Sequence, residues 1–405
     1  MRKLWKYGAN DAEISAYILR KFAENTVYLF IISVGMPRYI HQRTDWPRFV
    51  WDETPLLVLL SEVRYVQGRI AGRMELIGFS VREETSLQAL TQDVLKSTEI
   101  EGELLNPDQV RSSIARRLGM DIAGLIPSDR SVEGIVDMML DATQRFNEPL
   151  TDERLFNWQA SLFPTGRSGL YKITTGAWRD QTKGPMQVVS GPMGYEKVHY
   201  EAPDSSRLEQ EMHLFIDWFN KQNEIDSVLK AAIAHLWFVT IHPFDDGNGR
   251  IARAIADMQL ARAEGNGQRY YSMSAQIRLE RNTYYELLEK TQKGSLDVTA
   301  WLTWFLACLL RALMQTEHTL TNVLQKARFW DKQSVTLLNE RQRLLINKLW
   351  DGFDGKLTSS KWAKMAKCSQ DTASRDIQDL INKGILKKEE AGGRSTSYTL
   401  FQQDV

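Results

Sequence analysis

Apolar residues in this chain recur mostly at helical spacing, and one segment is apolar on nearly every face. From Asp226 to Ile241 (DSVLKAAIAHLWFVTI) there is no polar stripe past Lys230, so this helix belongs in the centre of a domain. Amphipathic stretches around it predict helices over Leu56–Met74, Val132–Gln144, Thr151–Phe163, Arg207–Gln222 and Val298–Leu313. Thr85 or Ser86 can cap a further helix that runs through Leu87, Leu90 and Val94 and ends at Gly102. Trp46-Pro47 and Trp51 lead into a helical N-terminal subdomain. Met186 to Val189 is a short β-prone run between the turn signals Gly184-Pro185 and Gly191-Pro192, which reads as a hairpin. The predicted fold class is therefore mainly α: a helical bundle with one small β-hairpin, then a smaller helical unit with its own hairpin.

That smaller unit follows a polar helical linker around Thr319–Gln333. Arg341–Trp350, Lys361–Lys367 and Ser369–Asn382 read as helices. Gly384-Ile385-Leu386 begins a strand, Gly392-Gly393 turns it and Ser397–Leu400 returns. Helix-turn-helix plus hairpin resembles a winged helix. Ser369 would cap the recognition helix, exposing Gln370, Thr372, Ser374 and Arg375, with Arg394 on the wing. Asp371, Asp376 and Asp379 share that helix and oppose phosphates, so DNA binding and protein docking stand even. The expected organisation is an extension of uncertain origin over 1–38, the N-terminal subdomain over 39–106 and the main bundle over 107–318. A linker over 319–336 and the winged-helix-like unit over 337–405 complete it. Met36-Pro37 would make a reasonable start, so residues 1–35 read as an upstream extension.

Composition narrows the partners. Lys+Arg and Asp+Glu each total 51 in 405 residues, so no net charge draws the whole chain to nucleic acid or membrane. Two cysteines, Cys308 and Cys368, do not make a disulfide framework, and Cys/His metal spacing is missing. Apolar stretches such as Val27–Val34 are too short to span a bilayer. A cytoplasmic enzyme with no membrane partner is expected, and the sequence leaves a homodimer open.

The chemistry concentrates in His242-Pro-Phe-Asp-Asp246-Gly-Asn-Gly-Arg250-Ile-Ala-Arg253. Pro243 ends the apolar helix, and a residue before proline leaves the right-handed helical region, so His242 is expected at an extended turn. Gly247 and Gly249 let backbone N–H groups converge, and the next helix starts near Asn248, making an anion site. Arg250 and Arg253, three apart, share one face of that helix, while Ile251, Ala254, Ile255 and Met258 anchor another. Asp-Gly-Asn-Gly alone is an ordinary turn. A calcium loop would need acids where Arg250 and Ile251 stand.

These residues resemble the Fic family signature, His-Pro-Phe-x-Asp/Glu-Gly-Asn-Gly-Arg-x-x-Arg, without a departure, and the similarity runs over roughly Thr44 to Leu313. The resemblance implies transfer of AMP from ATP to a hydroxyl of a target protein, the chain itself included, with release of pyrophosphate. It makes His242 the general base and Asp246 the ligand of Mg²⁺. Gly247, Asn248, Gly249, Arg250 and Arg253 would hold the triphosphate. Ser97-Thr-Glu-Ile-Glu101-Gly102 matches the inhibitory pattern Ser/Thr-x-x-x-Glu-Gly/Asn of self-restrained relatives, in which this glutamate pairs with the second motif arginine, here Arg253. Met186, Gln187, Val188, Val189 and Ser190 match the target-docking flap. Tyr284, Tyr285 and Gln292 stand where relatives line the adenosine pocket, although the family often has asparagine at the position of Gln292. The resemblance leaves two other readings in play. One is a nucleotide-sensing DNA-binding regulator with little turnover; the other is removal of AMP by the same site.

Overall fold

The computed structural model describes residues 37–75, 77–120, 125–182, 184–192, 194–222, 224–333, 336–350, 355–389 and 396–401. Most of the predicted 1–38 extension, the stretch Val27–Val34 and Arg394 lie outside these described residues. The chain divides into two compact units between Thr316 and Glu317.

The first unit holds α1 (Thr54–Glu75), α2 (Phe79–Ile100), α3 (Pro107–Arg117), α4 (Arg130–Gln144) and α5 (Asp152–Leu162). Then come α6 (Leu208–Asn220), α7 (Ser227–Ile241), α8 (Asn248–Glu264), α9 (Met273–Leu279) and α10 (Arg281–Gln292). The long α11 (Thr299–Lys332) starts in this unit. The predicted apolar helix is α7: the Asp226 carboxylate caps it by accepting from the Val228 N–H, and every residue from Val228 to Ile241 is buried. Each large apolar side chain so buried contributes about 1.5–3 kcal/mol. α7 packs along α8 and against α6, and Trp301 of α11 donates to the Ala232 carbonyl. Trp46 and Phe49 join Phe215, Trp218 and Trp237 in an aromatic cluster, with Trp46 Nε1 donating to Glu211. The N-terminal segment is thereby built into the bundle.

Two element boundaries differ from the sequence reading. α2 starts at Phe79 with Gly78 as its cap, so Thr85 and Ser86 sit mid-helix and Thr85 Oγ1 bonds back to the Val81 carbonyl. Nothing in residues 79–84 interrupts a helix, so it extends upstream of the predicted cap. α11 runs unbroken through the predicted linker as far as Lys332.

Short antiparallel hairpins complete the first unit: β1 (Arg167–Ser168) with β2 (Tyr171–Lys172), and β3 (Gln187–Ser190) with β4 (Lys197–Glu201). The former is too short to show an alternating pattern in sequence. Met186 and Val188 pack on Tyr39, Tyr200 and Ala202. Tyr200 donates to the Thr240 carbonyl, tying this hairpin to the end of α7.

The second unit contains α12 (Glu340–Trp350), α13 (Ser359–Met365), α14 (Gln370–Asn382), β5 (Leu386–Lys388) and β6 (Tyr398–Leu400). β5 and β6 pair antiparallel, and Leu357 bridges to Tyr398. Thr358 and Ser369 cap α13 and α14, and Leu345, Ile346, Trp362, Ile377, Leu380 and Ile385 form the core.

Candidate active site

The joint between α7 and α8 carries the site. His242 sits at φ 52° and ψ 58°, left-handed rather than extended. The pre-proline restriction excludes the right-handed helical region, and closing α7 requires its N–H to reach the Phe238 carbonyl, at 3.0 Å. A β-carbon in that region costs on the order of 1–3 kcal/mol, so the surroundings must impose it. Arg179 does so. It is 5% exposed, its Nε donates to the His242 carbonyl at 2.8 Å, and its Nη2 reaches the Pro203 carbonyl at 2.6 Å. Its own N–H donates to the Pro243 carbonyl. Nothing in the sequence singles out Arg179 for this role, because its partners lie far along the chain.

Burial draws the His242 pKa down to about 4, with the Val239 carbonyl, Asp246 and Glu101 opposing the fall and Arg179 aiding it. The ring is therefore neutral at pH 7. Nδ1 lies 3.2 Å from the Val239 carbonyl oxygen, which places the proton there and leaves Nε2 as the basic nitrogen.

Beyond the joint, Gly247 caps α8 at φ 91°, and a β-carbon there would press on Phe163 and Leu162. The Asn248 side chain turns back to clasp the Phe244 N–H and carbonyl, so it shapes the loop, leaving its backbone amide at the helix head. Asp246 is half-buried, accepts from the Gly247 N–H at 2.6 Å, and is hydrogen-bonded by Ser168. Arg250 lies over the Phe163 ring and pairs with Glu103 at 3.1 Å. Arg250 Nε and Arg253 Nη1 are buried without hydrogen-bond partners among the described residues. A cavity of about 260 Å³, lined by Glu103, Phe163, Arg167, Ser168 and Arg250 among others, opens beside Arg250. Unpartnered guanidinium N–H groups facing a helix N-terminus suit an anion.

The C-terminal end of α2 closes over the same arginines. Arg253, 2% exposed in its side chain, donates from Nε to Ser97 Oγ at 2.8 Å and from Nη2 to the Ser97 carbonyl at 2.8 Å. Nη2 also meets Glu101 Oε1 at 2.7 Å. A β-carbon on Gly249 would collide with that carboxylate oxygen, so glycine is required for the approach. Glu103, which the sequence reading passed over, holds the other arginine. Its only signal was an acid two residues beyond the inhibitory glutamate. Further along α2, Asp93 accepts from Ser272 Oγ at 2.6 Å and from the Ser274 N–H at 3.2 Å. It lies in a buried cluster with Asp257 and Arg269.

The remaining predicted residues divide. On the flap, Gln187, Val189 and Ser190 are exposed, while Met186 and Val188 pack inward. Ser190 Oγ lies 2.6 Å from His199 Nε2, and His199 Nδ1 lies 2.5 Å from Glu289 of α10, which fixes β4 to that helix. Tyr284 is buried with its hydroxyl 2.9 Å from His235, and Gln292 is buried within 3.4 Å of the Val239 carbonyl. Both are core groups supporting α7. Tyr285 is half-buried against Tyr284.

Residues 149–260 match the Fic/DOC family, and residues 39–120 match a domain of unknown function, DUF4172. Protein adenylyltransferase Fic of Nematostella vectensis is 34% identical over 114 residues, 27% of this chain and 25% of that protein. Its namesake in Aedes aegypti is 26% identical over 233 residues, 56% of this chain and 41% of that one. The chain thus spans less than half the length of these curated relatives. A Fic family protein from Desulfovibrio desulfuricans G20, known as a crystal structure, aligns at TM-score 0.49 and 20% identity over 87% of this chain and 97% of that one.

Proposed function

We propose, given that this chain carries a Fic domain over residues 149–260, that it is a protein adenylyltransferase restrained by its own α2. The observation that supports this most is the gathering of a neutral imidazole, a half-buried carboxylate and two buried guanidinium groups around one helix N-terminus. A target segment would lie along the exposed edge of β3 by main-chain pairing. His242 Nε2 takes the proton from its hydroxyl as the oxygen bonds to the α-phosphorus of ATP and the bond to the pyrophosphate oxygen breaks. Such a base is worth about 10²–10⁴-fold. Arg250, Arg253 and the amides of Gly247, Asn248 and Gly249 stabilise the charge that gathers on the leaving pyrophosphate.

The donor set fits a magnesium ion shared with the phosphates. Asp246 offers a carboxylate, and no group of three or more His, Cys, Asp or Glu stands among the described residues to form an all-protein cage. When bound, the ion would add charge neutralisation at the phosphates.

In this reading restraint rests on one guanidinium: Glu101 and the Ser97 carbonyl already occupy Arg253 Nη2, so a phosphate must compete with them for that donor and is left only Nη1. A coupling of about 1–3 kcal/mol lowers activity roughly 5- to 150-fold. Glu103 places a second carboxylate on Arg250, but being more exposed it contributes less.

The test is labelled AMP transfer by four proteins: wild type, His242→Ala, Glu101→Gly and Glu103→Ala. Glu101→Gly raises self-labelling roughly 5- to 150-fold, Glu103→Ala raises it by a smaller factor, and His242→Ala binds ATP without labelling. Near-normal labelling by His242→Ala removes the base assignment. ATP binding without labelling in all four favours a nucleotide sensor. Label that Glu101 later helps to remove would show AMP removal by the same site.

A further inference from the structure

We propose that the exposed face of α14, with basic side chains of α13 and β5, is a binding surface for duplex DNA. In sequence the three acids of α14 weighed against phosphate contact; the structure buries one of them and pairs another with a lysine. Asp376 is buried and held by Arg341 at 2.8 Å and Asn339 at 3.0 Å, both at the start of α12. Asp379 is held by Gln342 at 2.7 Å and Lys383 at 2.5 Å. Their charge is met within the unit, Asp379 staying half-exposed beside Lys383 at the flank, and Asp371 is the acid left without an ion pair on the outer face.

That outer face is Asp371, Ser374, Arg375, Gln378 and Asn382, exposed at spacings of one to four residues along one side of the helix, while Ala373, Ile377 and Leu380 face the core. Apart from the acid, these are side chains that donate to or accept from base edges and phosphates. Two predicted contacts change. Gln370 Nε2 is tied to Ser359 and Ser360 at 3.0 Å each, and Thr372 is half-buried beside Ser369. Lys364, Lys367, Arg375 and Lys388 are exposed and make no ion pair among the described residues. Residues 317–405 carry 15 Lys+Arg against 11 Asp+Glu, an excess of four positive charges that the neutral total conceals.

The shape selects the polymer. A regular helix fits the B-form major groove, about 12 Å wide, whereas the A-form major groove is too deep and narrow. The exposed side of α14 carries no apolar residue that could enter a lipid surface.

The experiment uses the full chain and a fluorescent random duplex of about 20 base pairs, titrated at salt from about 50 to 200 mM. Four phosphate contacts give a slope of log affinity on log salt near −3.6, roughly a 150-fold loss across that range. Arg375→Ala makes the slope shallower by about one. Substituting alanine for Lys364, Lys367, Arg375 and Lys388 together abolishes retention; all four are exposed, so the fold survives. Duplex binding unchanged in that variant, equal affinity for duplex RNA of the same length, or capture by phosphatidylserine vesicles in place of DNA would each overturn the proposal.

Discussion

His242 reaches its neutral state through burial, at a joint whose backbone is held by a residue 63 positions upstream, Arg179. The ring keeps its uncharged form down to about pH 4, well below an ordinary imidazole. NMR titration of ring-labelled histidine, with His242→Ala supplying the assignment, should show this low midpoint; one near 6.5 would mean that the ring is solvated. The sign for stability follows. His235, drawn to about 3, and His242 charge in the unfolded chain at higher pH than in the folded one. Stability is therefore fully present above about 6.5 and declines as pH falls from there toward 4. At this scale the twelve-residue motif was legible because its members are neighbours in sequence. Arg179 and Glu103 were not, because their partners are distant along the chain and only folding unites them.

Among the elements, α2 matters most, since it carries the buried Asp93 and Ser97 and its end places Glu101 and Glu103 over the arginines. Burial, then Asp257, raises the Asp93 pKa to about 7, while Arg269 opposes the rise. Arg269 is fully buried and paired with Asp257. Arg269→Met leaves two carboxylates without their cation and should lower stability by about 3–5 kcal/mol. The shift in urea midpoint measures it, and a loss below about 1 kcal/mol would show that the carboxylates relax without the arginine. Periodicity located the helices because most present an apolar face to a core. It misplaced the start of α2, where residues 79–84 extend the helix without a boundary, while the stretch read as a helical linker is helical and continuous with the helix before it. Tyr284 and Gln292 read as pocket residues from the resemblance. The structure buries both, Tyr284 against His235 and Gln292 against the end of α7.

On the scale of the whole chain, each unit has its own core, and Trp362 anchors the second. Trp362→Ala should cost about 3–5 kcal/mol there and abolish that unit's thermal transition. Calorimetry should still record the first unit's transition, and labelled AMP transfer should persist. Joint loss of both transitions would show that the two units melt together. Among the described residues, no helix is long and apolar enough to cross a membrane. Residues 317–405 carry an excess of four positive charges and the rest of the chain an equal negative one, so the neutral sum conceals both.

The contact of Ser97, Glu101 and Glu103 with Arg250 and Arg253 is made by one covalent chain. Tethering gives it an effective concentration that thinning the protein out cannot change, equivalent to millimolar or so for a short flexible connection. The closed fraction is then the same in a sparse cell as in a crowded one. Under the proposed restraint, dilution by itself would not open this contact; a competitor for the arginines, or a pull on the segment after the helix, would.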